Sequence, residues 1–343
     1  MEFDAPKAQN RPDTKPASTS LTPAGFRWIG VLLLLAGCGL HVRIGSTPER
    51  WIFVANFSDD TVSVIDGTLD REVRVIPVGR SPQSLALRRK NPLVAVANSA
   101  ESSVSLIDPK AITAEPVTVP VGRGPEAVAF SRDGRWLFAT SYYDQTVTVT
   151  DLATRRQVRE PLSFSGKPRR LLPSPDGRTL FVLLHDNPGA LAAVDIAAWQ
   201  VSKTIPTDIS PTDLVLMPDG KSLVVTSFDM DTATVVDAAS LTVVERHQLD
   251  TGDALLIHPT RPLFYSMASF DGQVVVYDYA ARRTLTSIAV GEWPTRSALT
   301  VDGQFLYVVN NESNNVVKVD TETNTRLLRI AVGSGPEDAV ILE

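Results

Sequence analysis

The sequence predicts an all-β fold, a seven-bladed propeller of four-stranded antiparallel blades, and three observations predict it. Seven aspartates, Asp66, Asp108, Asp151, Asp195, Asp237, Asp278 and Asp320, recur after 42, 43, 44, 42, 41 and 42 residues. Each closes or adjoins a short β-rich run: TVSVID, SVSLID, TVTVTD, LAAVDI, ATVVD, VVVYD and VVKVD. No segment carries a sustained apolar stripe of helical period, whereas alternating Val, Ile, Leu, Phe and Tyr runs fill the chain. A period of this length marks one supersecondary unit repeated, which buries its faces by stacking on its neighbours. The repeat occupies Trp51 to Glu343, so this stretch of the 343-residue chain reads as one large domain.

Residues 1–38 read as a leader. Trp28 to Cys38 is an apolar run too short to span a bilayer comfortably, with Arg27 before it and small residues at its end, the layout of an export signal. Leu35-Ala36-Gly37-Cys38 resembles a bacterial lipobox. That resemblance implies that Cys38 is lipidated and becomes the mature N-terminus. Gly39 after it implies passage to the outer membrane. Residues 39–50 are then a short tether. The polar stretch before the apolar run is long for a leader, and an over-extended start codon would explain it. A single cysteine excludes an internal disulfide framework and a thiolate metal cluster.

Within the repeat, the third unit shows the order. Pro125–Ser131 is an inner strand, Arg132–Arg135 a turn, Trp136–Ser141 a second strand and Thr146–Thr150 a third. Asp151 then turns the chain into an outer strand near Gln157–Leu162. Asp-Gly turns recur at Asp133, Asp176, Asp219 and Asp302, where glycine accepts positive φ cheaply. The repeated aspartate after each third strand caps the following turn. Inner strands begin near Pro82, Pro125, Pro168, Pro211, Gly252, Pro294 and Pro336. No inner strand precedes Trp51. The segment Pro336–Leu342 has the missing pattern, so it is expected to return and complete the blade containing Ile52–Pro77. Radial stacking then buries the blade faces and leaves only short edges.

With these runs on the page, the chain resembles the YVTN family of seven-bladed propellers. The matching residues are Ile52-Phe53-Val54-Ala55-Asn56 with Thr61–Asp66, and Leu306-Tyr307-Val308-Val309-Asn310 with Val316–Asp320, followed by Ile330-Ala331-Val332-Gly333. The resemblance covers about residues 51–343 and implies the fold. It does not fix an activity, because one scaffold hosts many functions.

Two loop sets share one face: those entering each inner strand, and those between second and third strands. Tyr142, Tyr143, His185, Phe228 and Trp293 lie there among carboxylates and form a candidate recognition surface. The segment Leu184–Ala190 departs most from the repeat and is a further candidate contact. Two residues past each strand-start proline or its equivalent stand Ser84, Ala127, Arg170, Asp213, Ala254, Arg296 and Asp338. Arg170 beside Asp213 and Arg296 beside Asp338 form a candidate channel mouth, where they close the ring or select a small anion.

A net charge of -6 argues against a nucleic-acid partner. Four histidines, His41, His185, His247 and His258, do not make a multi-histidine metal site. There is no haem-attachment motif, phosphate loop or nucleophile motif. No catalytic, cofactor or metal residue is assigned. The expected function is a non-enzymatic recognition or scaffold module of the bacterial envelope, with an envelope protein as partner and the lipid at Cys38 holding it to the membrane. The alternative is a metal-dependent, calcium-using, lactonase-like hydrolase at the channel mouth.

Overall fold

The computed structural model describes residues 50–250 and 253–343. Cys38, the rest of the stretch read as a leader, His41 and Gly252 lie outside the described residues. Seven antiparallel sheets form a ring. From the axis outward, blade 1 runs Pro336–Leu342, Trp51–Asn56, Thr61–Asp66 and Arg71–Pro77, and blade 2 runs Pro82–Arg88, Leu93–Asn98, Ser103–Ile107 and Val117–Pro120. Blade 3 runs Val128–Phe130, Trp136–Ser141 and Thr146–Asp151, and blade 4 runs Pro168–Pro173, Thr179–Leu184, Ala190–Asp195 and Gln200–Pro206. Blade 5 is Pro211–Leu216, Ser222–Ser227, Thr232–Asp237 and Thr242–Gln248; blade 6 is Leu255–Ile257, Leu263–Ala268, Gln273–Asp278 and Arg283–Ala289. Blade 7 is Ala298–Leu299, Phe305–Asn310, Asn315–Asp320 and Thr325–Ala331. The last strand of the chain closes blade 1 as expected, pairing Trp51 with Leu342 and Ala55 with Asp338.

Period-two alternation explains the packing. Ile52 and Val54 face blade 7, where they meet Tyr307, Val309 and Ile330. Phe53 and Ala55, one residue out of step, face blade 2 and meet Leu85, Val94 and Val96. Both faces of each second strand are therefore apolar, and the core is divided into seven clusters, one at each junction between adjacent blades. Outer strands such as Arg71–Pro77 are mostly exposed and carry charges, which blunts the edges.

The aspartate rhythm has a physical cause. Asp66 Oδ1 accepts from the amides of Thr68 and Leu69, Asp151 Oδ1 from Ala153 and Thr154, and Asp320 Oδ1 from Glu322 and Thr323. Asp108, Asp195, Asp237 and Asp278 do the same in their own turns. These bonds hold the carboxyls of Asp151 and Asp320 below the usual aspartate value, the amides of Thr154 and Thr323 contributing most. In the Asp-Gly turns, Ser131, Ser174 and Thr300 donate to the following aspartate at 2.6 Å, and the glycine takes φ near +70°.

Blade 3 departs from expectation at its outer edge. The strand read near Gln157–Leu162 splits into Arg156–Gln157 and Leu162–Ser163, both paired with Thr146–Asp151. Pro161 has no amide to give the ladder, so pairing stops before it and resumes beyond it. The inner strand of this blade is also shorter than read, Val128–Phe130. The amides of Glu126 and Ala127 go instead to Thr140 Oγ1, at 3.1 and 2.9 Å. Blade 4 keeps four strands, and the departure expected at Leu184–Ala190 lies in the connection between two of them, where the Asn187-Pro188 bond is cis.

Candidate functional site at the channel mouth

In four blades the inner strand enters the ring through a bulge. Register shifts fall between Pro82 and Ser84, between Pro168 and Arg170, between Pro211 and Leu214, and opposite Pro336 and Asp338. A bulge re-aims side chains, so the residue just after each proline and the one after that both serve the mouth. The second set contains the expected charges. Asp213 and Asp338 are each only 6% exposed.

These charges form two relays. Arg170 Nε donates to Asp213 Oδ1 at 3.3 Å, and Asp213 Oδ2 accepts the Leu255 amide at 3.2 Å, joining blades 4, 5 and 6. Arg296 Nη1 lies 3.6 Å from Asp338 Oδ2, which accepts the Leu85 amide at 2.8 Å, joining blades 7, 1 and 2. Arg296 Nη2 also donates to the Gln83 carbonyl at 3.1 Å. Burial, with the neighbouring charge of Arg296, pulls Arg170 down to about 9, so it stays cationic at neutral pH. Burial pushes the Asp338 carboxyl up, opposed by Arg296 and the Leu85 amide.

The first set of residues was missed. Glu337 is half-buried, accepts from Asn311 Nδ2 at 2.9 Å, and is pushed above the ordinary glutamate value by burial. The charges of Arg296, Asp338, Arg170 and Arg169 all act on it. Glu126 acts on both Arg170 and Arg296. Arg169 Nε is buried with no hydrogen-bond partner among the described residues. The signal was a charged residue directly after Pro125, Pro168 and Pro336; at Pro168 and Pro336 a bulge breaks the alternation that would assign it to the blade face.

The candidate recognition surface is partly structural. Its carboxylates accept amides of the strand-entry loops: Glu101 from Arg80, Asp144 from Arg123 and Asp186 from Lys167. His185 Nδ1 donates to the Pro211 carbonyl at 3.2 Å, which fixes its tautomer. Tyr142 and Tyr143 meet edge-on at 5.4 Å, with Lys167 Nζ over Tyr142 and Tyr143 69% exposed. Phe228, Phe270 and Trp293 form a separate chain of rings, at 5.8 and 4.9 Å. His258 lies apart from both sets, against Gly303 of an Asp-Gly turn. Its Nδ1 accepts the amides of Thr260 and Arg261, and burial holds it below the usual histidine value.

The mouth does not suit calcium. Both oxygens of Asp213 and of Asp338 already accept backbone amides, and each carboxylate also faces an arginine. Among the described residues no group of three His, Cys, Asp or Glu side chains converges as a metal site.

No family model and no curated protein matches the chain. Solved structures do match its fold. Hydrazine synthase of Kuenenia stuttgartiensis is similar at 20% identity, over 83% of this chain and 99% of that one, with a TM-score of 0.72. A periplasmic gluconolactonase of Pseudomonas aeruginosa is similar at 19% identity, over 86% and 99% of the two chains, also at 0.72. A dihydro-heme d1 dehydrogenase is similar at 17% identity over 84% of this chain and 65% of that one, at 0.64. The shared feature is the seven-bladed ring. All three are enzymes, and this corrects the expectation of a non-enzymatic recognition or scaffold module: the absence of a motif had been read as absence of chemistry, but chains of this fold occur in enzymes.

Proposed function

We propose that this protein is a hydrolase of small cyclic esters, working at the channel mouth with its own side chains. The observation that carries the reading is Glu337: a half-buried carboxyl raised by burial, held by Asn311 and under the charges of Arg296, Arg170 and Arg169. The likeness to a gluconolactonase supports the substrate class. In this reading the Glu337 carboxylate takes a proton from water as the water oxygen adds to the lactone carbonyl. Arg170 and Arg296 stabilise the oxyanion. The ring C–O bond then breaks, and the leaving alkoxide takes the proton back from Glu337, giving a hydroxy acid.

Hydrolysis of δ-valerolactone and gluconolactone, followed by pH-stat, tests it. Glu337→Gln is expected to lower kcat/KM about 100-fold or more, the usual contribution of a general base. The wild-type rate is expected to rise with pH through a titration above 4.5, because burial raises Glu337 and only its deprotonated form is a base. That limb should vanish in the variant. Absence of turnover across a broad lactone and ester panel, with and without calcium, would overturn the reading.

The repeat is further assigned to the YVTN type on its strand motifs. The protein is placed in the bacterial envelope, tethered through Cys38, on the strength of the lipobox-like run. Intact-mass analysis of protein from its native host is expected to show lipid on Cys38, lost in Cys38→Ser. Unmodified protein beginning at Met1 would refute the anchor.

A further inference from the structure

An exposed apolar feature at the mouth's own face is the ring chain of Phe228, Phe270 and Trp293, with Met230 two residues after Phe228 in sequence. Phe270 is 73% exposed, Met230 47% and Trp293 37%. Isolated exposed apolar residues are ordinary, but contiguous exposed aromatic rings mark an interaction site. Trp293 also stands where its backbone does not favour it. The residue before the inner-strand proline takes a left-handed φ in five blades, and in four of them it is small: Ser81 at 54°, Gly124 at 65°, Ser210 at 47° and Gly335 at 62°. In the fifth, Trp293 adopts 55° with a bulky side chain, so the blade 7 entry alone among these five places an aromatic ring there.

Its location ties the patch to the chemistry. The Pro294 carbonyl after Trp293 accepts from Ser269 Oγ at 2.9 Å, which holds the blade 6 loop carrying Phe270 against the strand entry. Arg296 follows three residues after Trp293, roughly 10 Å along an extended chain. We infer that Phe270 and Trp293, backed by Phe228, form a subsite for an aryl or alkyl substituent on the lactone ring, whose carbonyl is held at Arg296. Phe270 and Trp293 meet edge to face at 78°, which offers such a group a ring face beside a ring edge, and not a flat platform for a sugar. This inference rests on the hydrolase reading for the identity of the bound ring.

Equilibrium binding of lactams, which occupy a lactone site without being turned over, separates the two. A phenyl-substituted five-membered lactam is expected to bind the full-length protein about tenfold more tightly than the unsubstituted lactam, by calorimetry. Trp293→Gly, which suits the left-handed backbone, is expected to abolish that preference while shifting Tm by less than about 4 °C. Phe270→Ala, at an exposed side chain, serves as the second variant. Preference without turnover of any lactone would sink the hydrolase reading and leave the subsite standing. Equal binding of the two lactams, a preference that survives both substitutions, or tighter binding of gluconolactam than of the phenyl compound would overturn the subsite.

Discussion

Deletion of Pro336–Glu343 is expected to abolish cooperative thermal unfolding. The segment is the whole inner strand of blade 1 and pairs along Trp51–Asn56. Its loss leaves that strand's backbone groups without partners and removes Ala339 and Ile341 from the cluster shared with blade 7. Val340 and Leu342 leave the cluster shared with blade 2. Asp338 and the Glu343 carboxylate, 2.6 Å from Arg50, go with it. Unpaired buried backbone and lost apolar contacts together reach the ~5–15 kcal/mol that holds a typical domain folded. Circular dichroism melting checks this, and a synthetic peptide of the deleted residues should restore the transition in trans. A truncated chain melting like the wild type would show that the closure is dispensable.

The second large effect lies at the mouth. Asp338→Ala is expected to lower unfolding free energy by about 3–5 kcal/mol in urea titration, because it removes the carboxylate that pairs with the buried Arg296. It also strips the Leu85 amide of its acceptor. Combining it with Arg296→Met should recover much of that loss, since removing both charges costs far less than removing one. A double variant as unstable as the single one would mean that the aspartate acts through the backbone amide alone. Asp213 and Arg170 make the same comparison possible on the other side of the ring.

The ring could be read from the chain because its causes are local. The aspartate rhythm reports turn caps, alternation at Ile52–Ala55 reports two buried faces, and the orphan pattern at Pro336–Leu342 reports the closure. The blade 3 edge was misread because Pro161 interrupts a ladder without ending it. At the site, Arg170 and Asp213 were legible as neighbours through their equivalent places in successive repeats. Glu337 and Arg169 were not, because a bulge overrides the alternation on which inward and outward were assigned. Carboxylates such as Asp144 and Glu101 looked like partner contacts. Their actual work, accepting entry-loop amides, depends on a loop of the same blade that meets them only after folding. Whether the ring is catalytic was illegible for a different reason: binding and enzymatic propellers share the same strand signals.

The closure of blade 1 also sets an order in time. Ile52 pairs with Ile341, so the Trp51–Asn56 strand waits for one made nearly 300 residues later. Blades 2 to 7 draw their strands from consecutive stretches and can assemble as each stretch is synthesised. Blade 1 cannot, and until Pro336–Leu342 has been made the Trp51–Asn56 strand offers an open edge to any other extended segment nearby. The truncated chain described above is that unfinished state made permanent. It should be recovered as aggregate or bound to chaperone, and the final eight residues therefore govern how long a newly made molecule stays vulnerable.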